Sequence, residues 1–181
     1  MKVNTFQHLQ QIRAKFGPVR FGKIAQKLLA LALNEAGFFD IVEREVQGVD
    51  IDATDRDGKK YTLEVKTTDG ENIPISRENI EALKDRTKDG YLPVIAALRV
   101  QMFEDWIFAS IPLGGLKPVS LPLSRLRAYR IKDLEASVCP RFEVVVNQHF
   151  SGVLAGGEHY LSQVLAQRRS EHKQGSLDQH P

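Results

Sequence analysis

The stretch from Gly48 to Thr68 constrains the fold of this 181-residue chain more than any other. Val49, Ile51 and Ala53 alternate with Asp50, Asp52 and Thr54; beyond an Asp57-Gly58 turn signal, Tyr61, Leu63 and Val65 alternate with Thr62, Glu64 and Lys66. Side chains of a strand alternate between faces, so each segment has one apolar side and one charged side. Pairing register decides whether these sides coincide. A two-residue turn at Asp57-Gly58 sets Asp50 opposite Val65 and mixes carboxylates with apolar groups. A three-residue loop, Arg56-Asp57-Gly58 with Gly58 left-handed, sets Asp50 opposite Glu64, with Asp52 and Lys66 on the same face. Opposed side chains stand roughly 5 Å apart at Cβ, near enough for two carboxylates to share a cation. Only this second register satisfies burial and charge together. The plain alternative is an amphipathic hairpin with a solvated charged side. Against it, neighbouring half-buried carboxylates repel and raise each other's pKa unless a cation or donor intervenes.

The flanking segments alternate helix and strand. Phe6, Leu9, Ile12 and Phe16 predict a helix over residues 4–16, broken by Gly17-Pro18. Phe21, Ile24, Leu28, Leu31 and Leu33 predict a second over 19–36, closed by Gly37. Lys15, Arg20, Lys23 and Lys27 give that region a basic flank, either phosphate-facing or simply solvated. Residues 38–46 read as a strand that leaves through Gln47-Gly48. After Thr68, a polar loop over 69–74 leads to Ser76, an N-cap for a helix over 77–88. In that helix Ile80 and Leu83 pack inward, while Arg77, Lys84, Arg86 and Lys88 stay wet. Residues 91–100 form an apolar run suited to a strand buried on both faces, and 103–112 a further strand.

From residue 113 the signals are sparser. Residues 124–132 interleave basic and apolar side chains. A strand there either aims Arg125 and Arg127 at phosphates, with Tyr129 free to stack on a base, or is a charged edge that blunts aggregation. Helices are predicted over 139–150, with Pro140 in the first turn, and over 158–169, separated by a break at 151–157. The expected organisation is one α/β domain over 1–169, with a core at about 19–112, a helical extension at 113–169 and a disordered tail at 170–181.

Val49-Asp50 followed by Glu64-Val65-Lys66, in the order helix, strand, aspartate strand, Glu-x-Lys strand, helix, strand, resembles the PD-(D/E)XK nucleases. The closer resemblance, over about Phe21 to Val100, is to archaeal-type Holliday junction resolvases and restriction-type enzymes. Val49 stands where proline is frequent. The resemblance implies a restriction-endonuclease-like mixed β-sheet core flanked by helices, DNA (branched DNA included) as partner, and a homodimer. It also implies a glutamate at the position of Gln26, so here an amide either orients a metal-bound water or a phosphate without neutralising charge, or is simply a surface glutamine.

The hairpin's chemistry suits this. Asp50 and Glu64 offer hard oxygens to Mg²⁺, with Mn²⁺ as substitute, and the resemblance adds the Val65 carbonyl. Lys66 orients or deprotonates a water and offsets developing negative charge. Thr67 is a candidate phosphate contact, as is Lys23. Asp52 is either an extra ligand or a solvent-facing carboxylate. The expected activity is Mg²⁺-dependent phosphodiester hydrolysis. A restriction-type or repair nuclease acting on duplex, flap or damaged DNA is an alternative; so is a non-catalytic nucleic-acid-binding module.

Composition narrows the rest. Hydrophobic residues at 42% and charged residues at 27%, with a formal charge of +2, fit a globular chain that tolerates an acidic partner. A single cysteine, Cys139, excludes an internal disulfide and a cysteine-rich zinc cluster. The five histidines lack zinc-type spacing, and no glycine-rich phosphate loop suggests a nucleotide cofactor. With no long apolar run and no signal-peptide pattern, a cytoplasmic protein off the membrane is expected.

Overall fold

The computed structural model describes residues 1–44 and 48–177, with side chains through residue 170. Its elements in order are α1 (Val3–Glu35), β1 (Phe39–Glu43), β2 (Ile51–Thr54), β3 (Lys60–Thr68), β4 (Asn72–Ile75), α2 (Arg77–Lys88), β5 (Leu92–Arg99), β6 (Ile107–Ala109), β7 (Val119–Pro122), α3 (Leu123–Arg127) and α4 (Lys132–Leu177). Five strands form a mixed sheet in the order β1-β2-β3-β5-β6, and β4 pairs with β7 in a second small sheet. This is the expected mixed α/β core flanked by helices, with a long C-terminal helix.

The hairpin register follows from the turn. Gly58 is left-handed at φ 80°, its amide donates to the Asp55 carbonyl at 3.0 Å, and the Asp55 amide donates to the Lys59 carbonyl at 2.9 Å. That three-residue loop pairs Thr54 with Lys60, Asp52 with Thr62 and Ile51 with Leu63. β3 then runs parallel to β5 from Tyr61↔Leu92 to Thr68↔Arg99, and the near-continuous apolar run in β5 is buried on both faces.

Each sheet face has its own core. Ile51, Leu63, Val65, Val94, Ala96 and Leu98 pack with Phe21, Leu28 and Phe142 of α1 and α4. On the other side Ile95, Ala97 and Ile107 meet Ile80 and Leu83 of α2 and Ile73, Ile75 and Leu121 of the small sheet. Thr62, Glu64 and Lys66, out of phase with Leu63 and Val65, belong to this second side.

α1 and α4 run side by side in the same direction. Cross-contacts proceed in step along both: Asn147 Nδ2 donates to Thr5 Oγ1 (3.0 Å), His8 stacks on Phe150 (3.8 Å), Arg20 pairs with Glu158 (3.7 Å) and Arg168 with Glu35 (2.8 Å). Each helix kinks once, α1 at Gly17 (φ 75°, ψ 168°) and α4 at Gly157 (φ 58°, ψ −137°). The kinks meet, since a Cβ on Gly157 would stand 3.1 Å from the Phe16 ring. Pro18 opens the second segment of α1, where no amide donor is needed.

Several expectations need correction. The loop predicted over 69–74 contains β4: Ile73 and Ile75 are buried, and their partner strand lies far along the chain, invisible to local turn signals. The strand predicted over 124–132 is absent; α3 takes its first part, and Arg130 makes one isolated bridge to Ala109. β6 covers only three of the ten residues predicted as strand, while Phe103 is exposed and stacked on Phe6. α4 begins at Lys132, not 139, with Asp133 and Glu135 in its first turn, which suits the helix dipole. Pro140 therefore lies inside the helix, and the break over 151–157 contracts to Gly157. Of the strand predicted over 38–46, β1 spans Phe39–Glu43, and residues 45–47 lie outside the described residues. The α4 backbone continues to Leu177. Among the described residues, no helix is long and apolar enough to cross a membrane.

Gly157→Ala combines an unfavourable backbone conformation with a crowded Cβ, and is expected to cost about 1–3 kcal/mol. The shift in urea midpoint measures it; a midpoint unchanged from wild type would show that the kink tolerates a side chain.

Candidate active site

Asp50 stands one residue before β2, where the ladder slips. Its amide donates to the Leu63 carbonyl (3.0 Å), and its own carbonyl accepts from the Arg44 amide (3.0 Å) and from Gln26 Nε2 (3.1 Å). Its carboxylate Oδ2 accepts the Val65 amide at 2.7 Å. Four hydrogen bonds, from β3, from α1 and from the residue just after β1, thus fix one aspartate. Gln26 reaches it because α1 crosses β3 closely here: Gly22, one turn earlier, leaves room for Thr67, whose Oγ1 would lie 3.7 Å from a Cβ on that glycine. Lys23 is exposed on the same turn, and Thr67 is half-buried.

Glu64 lies in mid-β3, only 1% exposed. Lys66, two residues on and so on the same face, holds its Nζ 2.6 Å from Glu64 Oε1. Glu64 Oε2 is buried and has no hydrogen-bond partner. Burial first, and the Asp50 charge second, push the Glu64 pKa up to about 7, against the lowering effect of Lys66. Asp50 is also raised by burial, opposed by the Val65 amide and then by Lys66. Two acids and one ammonium leave the cluster a net anion when ionised, with one buried oxygen unsatisfied. Buried polar atoms in folded proteins normally have partners. Among the described residues no group of three or more His, Cys, Asp or Glu gathers as a metal site. Asp50 and Glu64 are the residues here that would hold a hard cation such as Mg²⁺, which takes few protein oxygens and retains several waters.

Asp52 requires a correction. It is neither solvent-facing nor open to a cation: at 2% exposure its carboxylate is saturated. Thr62 Oγ1 donates to Oδ1 (2.7 Å), while Arg86 Nη2 and Arg44 Nη2 donate to Oδ2 (2.7 and 2.9 Å). Arg86, expected to be wet, is tied down, with its guanidinium 3.9 Å from the Tyr91 ring centroid. Its position three residues after Leu83 was the available signal, since that spacing puts it on the buried side of α2.

The fold brings together Asp50, Glu64, Val65, Lys66 and Gln26, while Thr67, out of phase with Glu64 and Lys66, turns toward Gly22 on α1. Arg125 and Arg127 sit apart on α3, which packs against β6 and β7. Arg127 Nη2 forks onto both oxygens of Glu104 (2.9 and 2.8 Å).

Neither a family model nor a curated protein matches this sequence. Among solved structures, the chain is similar to Hjc of Archaeoglobus fulgidus, a Holliday junction resolvase from an archaeal hyperthermophile. The identity is 19% and the TM-score 0.48, over 60% of this chain and 89% of that one.

An acid whose pKa rises on folding, here from 4.5 to about 7, binds its proton more tightly in the folded state. The metal-free protein therefore loses stability as pH climbs through that interval. Glu64→Gln is expected to raise unfolding free energy by roughly 2 kcal/mol near pH 8 and to change little near pH 4. Chemical denaturation in EDTA at both pH values tests this; equal effects at both would remove Glu64 as the source.

Proposed function

We propose that this chain is a Mg²⁺-dependent DNA endonuclease that hydrolyses phosphodiester bonds in the manner of the resolvase-like PD-(D/E)XK enzymes. The observation that carries the reading is the buried, half-satisfied Glu64 beside a firmly positioned Asp50 and a lysine on the same face. Asp50, Glu64 and the Val65 carbonyl would hold the ion, with Mn²⁺ able to replace it. Bound there, Mg²⁺ supplies Lewis acidity and charge neutralisation at the scissile phosphate. Lys66, held by Glu64 Oε1, orients the attacking water and offsets the charge that grows on the phosphate oxygens. Gln26 fixes the Asp50 main chain and so the angle of its carboxylate. Lys23, exposed on α1, and Thr67, next to it on β3, would contact neighbouring phosphates. Branched DNA cut symmetrically calls for two subunits, hence a homodimer.

The test is incubation of labelled four-way junction, duplex and single-stranded DNA with the protein, with and without Mg²⁺. Cleavage is expected to need the metal. Glu64→Ala or Lys66→Ala is expected to slow cutting by about 10³-fold or more while DNA affinity stays within about threefold. Wild-type cutting by either variant would overturn the assignment. Preference among the three substrates separates a junction enzyme from a duplex or repair nuclease.

A further inference from the structure

Between β6 and β7 the chain turns back on itself through Gly114-Gly115. The Leu116 amide donates to the Leu113 carbonyl (3.2 Å), and Gly115 has φ 74°. Ile111 and Leu113 anchor this loop in the core beneath α2. Above them lies an open cavity of about 320 Å³. Lys117 from the loop and Arg125 from α3 both line it, and no acidic side chain does. Both cations are exposed, and neither has an ion-pair partner among the described residues. Other arginines nearby are neutralised: Arg127 by Glu104, Arg130 by Glu135, Arg99 by Glu71. A Cβ on Gly114 or Gly115 would meet nothing within 4 Å, so a ligand can approach the main chain directly. Two uncompensated cations around a bare glycine turn suit a tetrahedral oxyanion. β7 is hydrogen-bonded to β4, and only residues 69–71 separate β4 from β3. One short sheet therefore links the cavity to the strand bearing Glu64 and Lys66.

We propose that this cavity is a second phosphodiester subsite, in which Lys117, Arg125 and the Gly114-Gly115 main chain grip a DNA backbone phosphate away from the cleavage position. The identity of the polyanion rests on the nuclease reading; the convergence of the two cations does not.

Two measurements on the full chain test it. Anisotropy of labelled duplex and four-way DNA, with Ca²⁺ replacing Mg²⁺, gives affinity as a function of salt. Lys117→Ala/Arg125→Ala is expected to bind about tenfold more weakly near 0.1 M salt. Its log–log salt slope should be shallower by about two, each single variant contributing about one. In parallel, inorganic phosphate is titrated against the ¹⁵N-labelled protein. The Gly114 and Gly115 amide resonances are expected to shift in wild type and to stay fixed in the double variant. Wild-type affinity and slope in the double variant would overturn the subsite. Should the wild type bind no DNA, the nuclease reading fails, and the phosphate titration alone decides the cavity: silent glycines overturn it, shifting glycines uphold it as an anion site.

Discussion

A carboxylate buried inside a β-sheet is costly unless positive charge or hydrogen-bond donors meet it, and Glu64 is met on one oxygen only. The rest of the candidate site is organised around that deficit. The hairpin ladder decides which face Glu64 occupies, and the Glu-x-Lys spacing sets an ammonium beside it. Asp50, left out of the ladder by a one-residue slip, is then fixed by the Val65 amide, the Leu63 carbonyl, the Arg44 amide and Gln26. Rigidity at the carboxylates is thus borrowed from main chain on both sides and from the long helix crossing above.

Asp50 and Asp52 show how partner count separates chemistry from architecture. They are two residues apart in one short segment. Asp52 has a hydroxyl and two guanidinium groups around it and binds α2 to the sheet. That ion cluster has no coordination left to offer. Asp50 and Glu64 together face a single lysine, and burial raises the pKa of both against its pull. Of two identical side chains, one is saturated and the other keeps coordination to offer.

Much of the fold was legible because its signals are local. Alternation and a glycine turn gave the β2–β3 register, Ser76 gave the start of α2, and an unbroken apolar run gave β5. The features that escaped depend on distant partners. β4 looks polar and proline-bearing until Leu121 and Val119 are brought beside it, and residues 124–132 show strand-like alternation yet are held by helix packing on β6. At the site, the shared face of Glu64 and Lys66 could be read from the period; the slip that takes Asp50 out of its expected pairing with Glu64 and onto the Leu63 carbonyl could not. The neutralisation of Asp52 could not, because a basic residue on a helix was taken to be solvated, and its depth depends on how α2 lies over the sheet.

The parallel pairing of α1 and α4 ties the lengths of two segments far apart in sequence. From the Lys2–Glu143 contact to the kinks at Gly17 and Gly157, the two helices use almost the same number of residues. One residue inserted early in α1 rotates everything beyond it by about 100°, turning Arg20 from Glu158 and Gln26 from Asp50. A matching insertion in α4 restores the first contact but not the second, so the length of α1 is held both by its partner helix and by the sheet.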